Sequence, residues 1–155
     1  MEITNNQVFG VHNFLCGLKL GKFNKDIRVA IFKNVGELTT AVKAVQEKME
    51  ASKKELFKDL EKDAEKVGAL REEFAKEETT KERREAIVKE ILTYEKYLDA
   101  EKEFNEIAVK YGEDKVKINL IIVDFGKFID GLVDSEVDFT APQLQMISFL
   151  FKNIK

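Results

Sequence analysis

Apolar positions recur every three or four residues through most of the chain, and every second residue in one short stretch. The pattern predicts helices with a minor strand component. Thr4 and Gln7 in ITNNQVF have capping-box spacing, which places a helix start there, and Val8, Val11, Leu15 and Leu18 follow as one stripe. Gly21 offers a stop, and Asn24 or Asp26 a cap for the next helix. That helix is expected to be long. Ile31, Val35, Leu38, Val42, Val45, Met49 and Leu56 form a narrow seam, which Leu60, Val67 and Phe74 continue after a shift of phase. Lys, Glu, Gln and Ala fill the flanks, as in a coiled coil, with Ser52 and Asp63 as interruptions. Roughly 50 residues of helix would extend about 75 Å. An element of that length is expected to protrude.

Two places offer a turn. One is Gly68, and the other is AKEETTKERREA, where Thr79 and Glu82 repeat the capping-box spacing. Phe74 keeps the seam going past Gly68, so the tip is expected at Thr79 and Thr80. Ile87, Ile91, Tyr94 and Leu98 mark a return helix running to Tyr111 or Gly112. KVKINLIIV then alternates as a strand, with Glu2 and Ile3, or Val137 to Phe139, as partner. In DFTAPQL, Thr140 and Gln143 form a third capping box with Pro142 in the first turn. Leu144, Ile147, Phe151 and Ile154 are the expected stripe of a last helix. The fold class read from this pattern is mainly α, with one or two short strands. It is an antiparallel coiled-coil hairpin (about 36–111) on a small base (1–35 and 112–155), within a single domain of 1–155.

Composition narrows the function. The 155 residues hold 26 basic and 29 acidic side chains, a net charge of −3, so no general basic field for nucleic acid is expected. One cysteine, Cys16, forms no internal disulfide and fits a reducing compartment. The first residues lack a signal-peptide pattern, and the longest apolar stretch is short of the ~20 residues of a membrane span. A soluble cytoplasmic protein is expected.

Two stretches imitate protein-kinase motifs. RVAIFK (Arg28 to Lys33) resembles the strand lysine, and VDFGKF (Val123 to Phe128) the magnesium-binding acid. Phosphoryl transfer also needs a catalytic-loop Asp and a glycine-rich loop. The sole histidine, His12, stands in GVHNFL, and Lys33 falls where a helix begins. The kinase reading fails. Asp124 reads instead as a helix cap after the strand, with Phe125 and Phe128 packing. GLKLGKF has three residues between Gly17 and Gly21, and Phe23 where a phosphate loop needs Ser or Thr. His12 and Cys16 lie four apart, but zinc sites ordinarily take four ligands, so both are read as core. The carboxylates read as a solvated helical face. No catalytic, cofactor or metal residues are assigned.

Two patches remain as candidate partner-binding surfaces. Lys81, Arg83 and Arg84 make the expected tip locally basic, although a plain solvated turn is the simpler reading. Met146, Phe149 and Leu150 make the last helix apolar on a second face, and Met146, Phe149 and Phe151 are the candidate contact residues there, although core packing also explains them.

ITNNQVFGVHNFL, KDIRVAIFKNVGEL and VDFTAPQLQMISFLF together resemble a family of small uncharacterised bacteriophage and prophage proteins. Lys25, Val29, Ile31, Lys33, Asn34 and Leu38 match its second segment. The resemblance covers both ends of the chain and implies a phage-encoded protein of the bacterial cytoplasm, with no catalytic residues to transfer. The expected function is therefore non-enzymatic: binding, and modulating or inhibiting, a bacterial host protein such as a defence component. The alternatives are a virion or tail assembly chaperone and, behind it, a small enzyme. The expected partner is a host or phage protein. A homodimer would also cover part of the seam.

Overall fold

The computed structural model describes residues 1–135 and 139–153. Seven α-helices and four short strands occupy the described residues, so the fold is mainly α with a minor β component. The chain divides into two compact units, Met1–Gln46 with Tyr111–Lys155, and Glu47–Lys110.

The first unit opens with β1 (Glu2–Thr4) and α1 (Asn5–Cys16). The expected capping box is present. The Thr4 hydroxyl accepts from the Gln7 N–H, and the Thr4 N–H donates to Gln7 Oε1 at 2.9 Å. β1 pairs antiparallel with β2 (Lys115–Lys117), Ile3 opposite Val116. Asn5 ties the same two segments together, donating its backbone N–H to Asp114 O at 3.0 Å and its Nδ2 to Tyr111 O at 2.7 Å. Helix α1 stops at Cys16, before Gly21, which lies in a 3-10 turn (Leu20–Lys22). Asn24 caps α2 (Lys25–Leu56), its Oδ1 accepting from Ile27 N at 3.0 Å.

The strand expected over 115–123 forms only at its two ends. β1 is three residues long, so the ladder runs out after Lys117. Beyond it, the buried side chain of Asn34 on α2 substitutes for a neighbouring strand. Its Nδ2 donates to Ile121 O at 3.0 Å, and its Oδ1 accepts from Ile121 N at 2.7 Å. β3 (Val123–Asp124) then pairs in parallel with β4 (Phe151–Lys152). Of the alternative strand, Val137 lies outside the described residues, and Phe139 carries no strand structure.

Asp124 caps α6 (Phe125–Asp134), accepting from Lys127 N at 3.1 Å. Phe128 of α6 packs on Phe23 and Phe151 at ring separations of 5.5 and 4.9 Å. Gly131 is buried on the same helix because the Phe23 ring lies where a Cβ would stand. The last helix begins as expected, with Thr140 capping α7 (Ala141–Met146), but it is short. A 3-10 turn (Ser148–Leu150) follows, and Phe151 is drawn out into β4 by its pairing with Val123. Leu144, Ile147 and Phe151 therefore do not share one helix, and Ile154 lies outside the described residues.

The second unit holds the end of α2, then α3 (Glu61–Ala75), α4 (Lys81–Ile91) and the larger part of α5 (Glu95–Glu113). The expected run of about 50 helical residues is broken at 57–60, where Asp59 adopts a left-handed φ of 65°. Asp tolerates that conformation better than most side chains. The return helix is broken too, at 92–94, where the Thr93 hydroxyl donates to Glu90 O at 2.7 Å. These breaks re-phase the apolar face. Val67, Leu70, Ile87, Tyr97 and Ala100 are buried, whereas Leu98 of the expected stripe is half-exposed. Phe74, expected in the seam, is 41% exposed. The chain does turn at Thr79 and Thr80. Thr80, not Thr79 of the expected capping box, caps α4 by accepting from Arg83 N, while Gly68 lies inside α3.

Candidate functional site

The structure gathers Lys81, Arg83 and Arg84 at the α3–α4 turn, where the two arginines brace the connection. Arg83 donates from Nε and Nη2 to the Glu73 carboxylate at 2.6 and 2.7 Å, with Glu90 at 3.8 Å. Hydrogen bonding from Arg83 holds the Glu73 carboxyl below its ordinary range. Arg84 donates to Lys76 O at 2.9 Å and lies over the Phe74 ring, which explains that ring's place outside the seam. Lys81 is exposed beside them.

Met146, Phe149 and Phe151 also come together, in the first unit. Met146 fills the space left by the missing side chain of Gly10, and Phe149 is half-buried against the core. Phe151 is buried, in ring contact with Phe125 and Phe128. Its surroundings are core, not an exposed second face of a helix.

The motif-like stretches have structural occupations. Lys33 stands on α2, not on a strand. The Asp124 carboxylate accepts from Lys127 N and from Asn153 Nδ2 at 2.9 Å, and these bonds, the backbone one first, hold its carboxyl low. His12 and Cys16 are not core, as the sequence led one to expect. Cys16 is exposed, and His12 is half-buried with Nε2 3.0 Å from Thr39 Oγ1. Among the described residues no three of His, Cys, Asp and Glu gather into a metal cage.

A concave surface lies in the second unit. A groove of about 560 Å³ runs along α5, lined by Leu98, Glu101, Lys102, Asn105, Glu106 and Val109. Residues at this spacing share one helix face. Val109 at its end is 62% exposed. Glu101 and Asn105 also line a neighbouring pocket of about 530 Å³, with Lys53, Phe57, Tyr97 and Phe104 in its wall. Phe57 meets Tyr97 and Phe104 edge-on, with centroids 5.5 and 6.2 Å apart, which fixes that wall.

Between the two hollows stands a fork-to-fork pair. Arg71 Nη1 and Nη2 donate to Glu101 Oε1 and Oε2, each at 2.7 Å. Hydrogen bonding from Arg71 holds the Glu101 carboxyl below its ordinary range. Burial, then the hydrogen bond with Glu101, holds the Tyr97 phenol above its own. The groove is thus apolar at its ends and polar at its centre, with the Glu101 carboxylate already paired to Arg71. The sequence pattern did not reveal it, because the expected stripe turned Leu98 inward. Asn105 and Val109, seven and eleven residues beyond Leu98 on α5, continue the same face as Leu98.

No helix among the described residues is long and apolar enough to cross a membrane. Comparison of the chain with protein-family models, with curated proteins and with solved structures finds no significant match.

Proposed function

We propose that this chain is a non-enzymatic, phage-encoded interaction protein that binds and modulates a bacterial host protein in the host cytoplasm. The observation that carries the reading is the α5 groove, an open helical face with aliphatic ends, a polar centre in which Glu101 is paired to Arg71, and an adjoining aromatic wall. Such a face accepts an amphipathic helix of a partner, whose apolar residues at three- and four-residue spacing would lie between Leu98 and Val109. The mixed charge of Glu101, Lys102 and Glu106 selects a partner helix carrying both signs on its rim. The resemblance of both ends of the chain to small phage proteins supports the phage and host assignments.

The test is affinity capture from bacterial lysate with wild-type protein and with Val109→Glu and Leu98→Lys. Both positions face the groove, so the variants are expected to keep the wild-type helical signal and melting temperature. The reading predicts one host protein recovered in stoichiometric amount by the wild type and lost by both variants. Equal recovery by the variants would remove the groove from the interface. Recovery of nothing would contradict the interaction reading itself.

A further inference from the structure

We infer that two copies of this chain pair antiparallel through the solvent face of α2, about a two-fold axis at Gly36. Helix α2 runs unbroken from Lys25 to Leu56. Spacing places Lys25, Val29, Phe32, Gly36, Thr40, Lys43 and Glu47 on one face, opposite the buried Ile27, Leu38 and Val45. Near the middle of that face Phe32 is 67% exposed and Val29 45%. Gly36 is exposed as well, and a side chain there would meet nothing of its own chain within 4 Å. Glycine weakens a helix interior relative to alanine, and the packing within the chain gives no reason for it here. A second helix crossing closely at this point does give one.

The charges along the face select a second copy as its occupant. Lys25 and Glu47 stand eleven residues to either side of Gly36, Val29 and Lys43 seven, and Phe32 and Thr40 four. The face is therefore complementary to itself when a copy is turned end over end. Each Lys25 then meets Glu47 of the other copy, and the two-fold repeats that contact at the far end. Phe32 lies on Thr40, whose hydroxyl is already satisfied by Gly36 O at 3.2 Å. Val29 packs on the aliphatic stem of Lys43. A parallel pair would instead set Lys25 on Lys25 and Lys43 on Lys43. Among the described residues no ion pair within the chain holds Lys25, Lys43 or Glu47. At 1.5 Å per residue the end contacts lie about 16 Å from the axis, within side-chain reach at a shallow crossing near 20°. No residue of the α5 groove takes part, so the two readings stand or fall separately.

The test is sedimentation equilibrium of the full chain over a range of concentrations. The inference predicts a monomer–dimer equilibrium. Lys25→Glu and Glu47→Lys should each weaken the dimer about tenfold, since two pairs are reversed per dimer, and both changes in one chain should restore it. Phe32→Ser should shift the equilibrium to monomer. Gly36→Leu should do the same while leaving the melting temperature of the monomer unchanged or higher, because the position is open and leucine favours a helix. A chain that is monomeric at every concentration would leave this face to solvent or to a different partner, and would overturn the inference. So would a dimer indifferent to Phe32→Ser and Gly36→Leu. Failure of the double charge reversal to restore the dimer would overturn the antiparallel register.

Discussion

Asn34 offers the sharpest physical test of the fold. Its side chain is 2% exposed, and it satisfies both backbone groups of Ile121, in a stretch without a strand partner. Asn34→Ala removes both partners at once. A buried polar group left unpaired costs about 1–3 kcal/mol, so two set an upper range near 6 kcal/mol. The Ile121 side chain is 40% exposed, which lets water reach part of this backbone and lowers the expected loss to about 2–4 kcal/mol. With urea slopes of ~1–3 kcal/mol/M, the unfolding midpoint should fall by on the order of 1–2 M.

Asn34→Asp separates the two bonds. The new carboxylate still accepts from Ile121 N–H, but it turns an acceptor toward the Ile121 carbonyl and buries a charge. Its folded-state pKa is therefore raised. Stability relative to wild type is retained below the unfolded value of ~3.9 and lost as pH rises through the folded value. Urea titrations followed by circular dichroism at acid and neutral pH read both effects. A loss under about 0.5 kcal/mol for Asn34→Ala, typical of an ordinary surface change, would refute the clamp. So would an acid-independent loss for Asn34→Asp.

Three further perturbations test separate parts of the structure. Gly131→Ala drives a methyl into the Phe23 ring and should cost about 1–3 kcal/mol by thermal unfolding, with no change expected if the ring were free to move. Thr80→Ala removes the cap of α4 and should cost about 1 kcal/mol, whereas Thr79→Ala leaves that cap in place. The carboxyls of Glu73, Glu101 and Asp124 are all held low, by Arg83, by Arg71 and by the Lys127 N–H respectively. Their contributions are in place above the unfolded carboxyl values near ~4 and fade as pH falls through the folded ones. Stability should therefore drop on acidification, less steeply in Glu101→Gln, and equal slopes would remove the Arg71 pair from that account.

Helix starts were the most legible feature of the chain, because a cap is a local event. Thr4 and Thr140 cap where their spacing predicts and Asn24 and Asp124 cap as expected, while α4 is capped by Thr80, one residue after the expected Thr79. Helix length was less legible. The break at 57–60 rests on the backbone of Asp59, and the one at 92–94 has no glycine or proline to announce it. Each break shifts the buried face, so the seam read as continuous passes from Met49 through a kink, and Tyr97 rather than Leu98 turns inward. The 115–123 stretch reads as a strand from its alternation, but a strand needs a partner as long as itself, and β1 reaches only to Glu2, opposite Lys117. Asn34 was visible in the sequence only as part of a resemblance. Its clamp on Ile121 spans 87 residues and has no local signature.

The candidate surfaces show the same division. The basic cluster at the tip was correctly located as a turn, but the pairing of Arg83 with Glu73 depends on how α3 and α4 pack. The apolar cluster of Met146, Phe149 and Phe151 was visible in composition, and its burial follows from Gly10 and β3. Spacing alone puts Leu98, Asn105 and Val109 on one face of α5, but that this face is open and Tyr97 and Ala100 turn inward depends on how α5 packs.

Hydrogen–deuterium exchange of the chain, alone and with the captured host protein, tests the proposed function most directly. The groove reading predicts slowed exchange over residues 97–109 and 53–57, with the tip at 81–84 unchanged. Slowed exchange confined to the tip or to the first unit, with α5 unaltered, would contradict it.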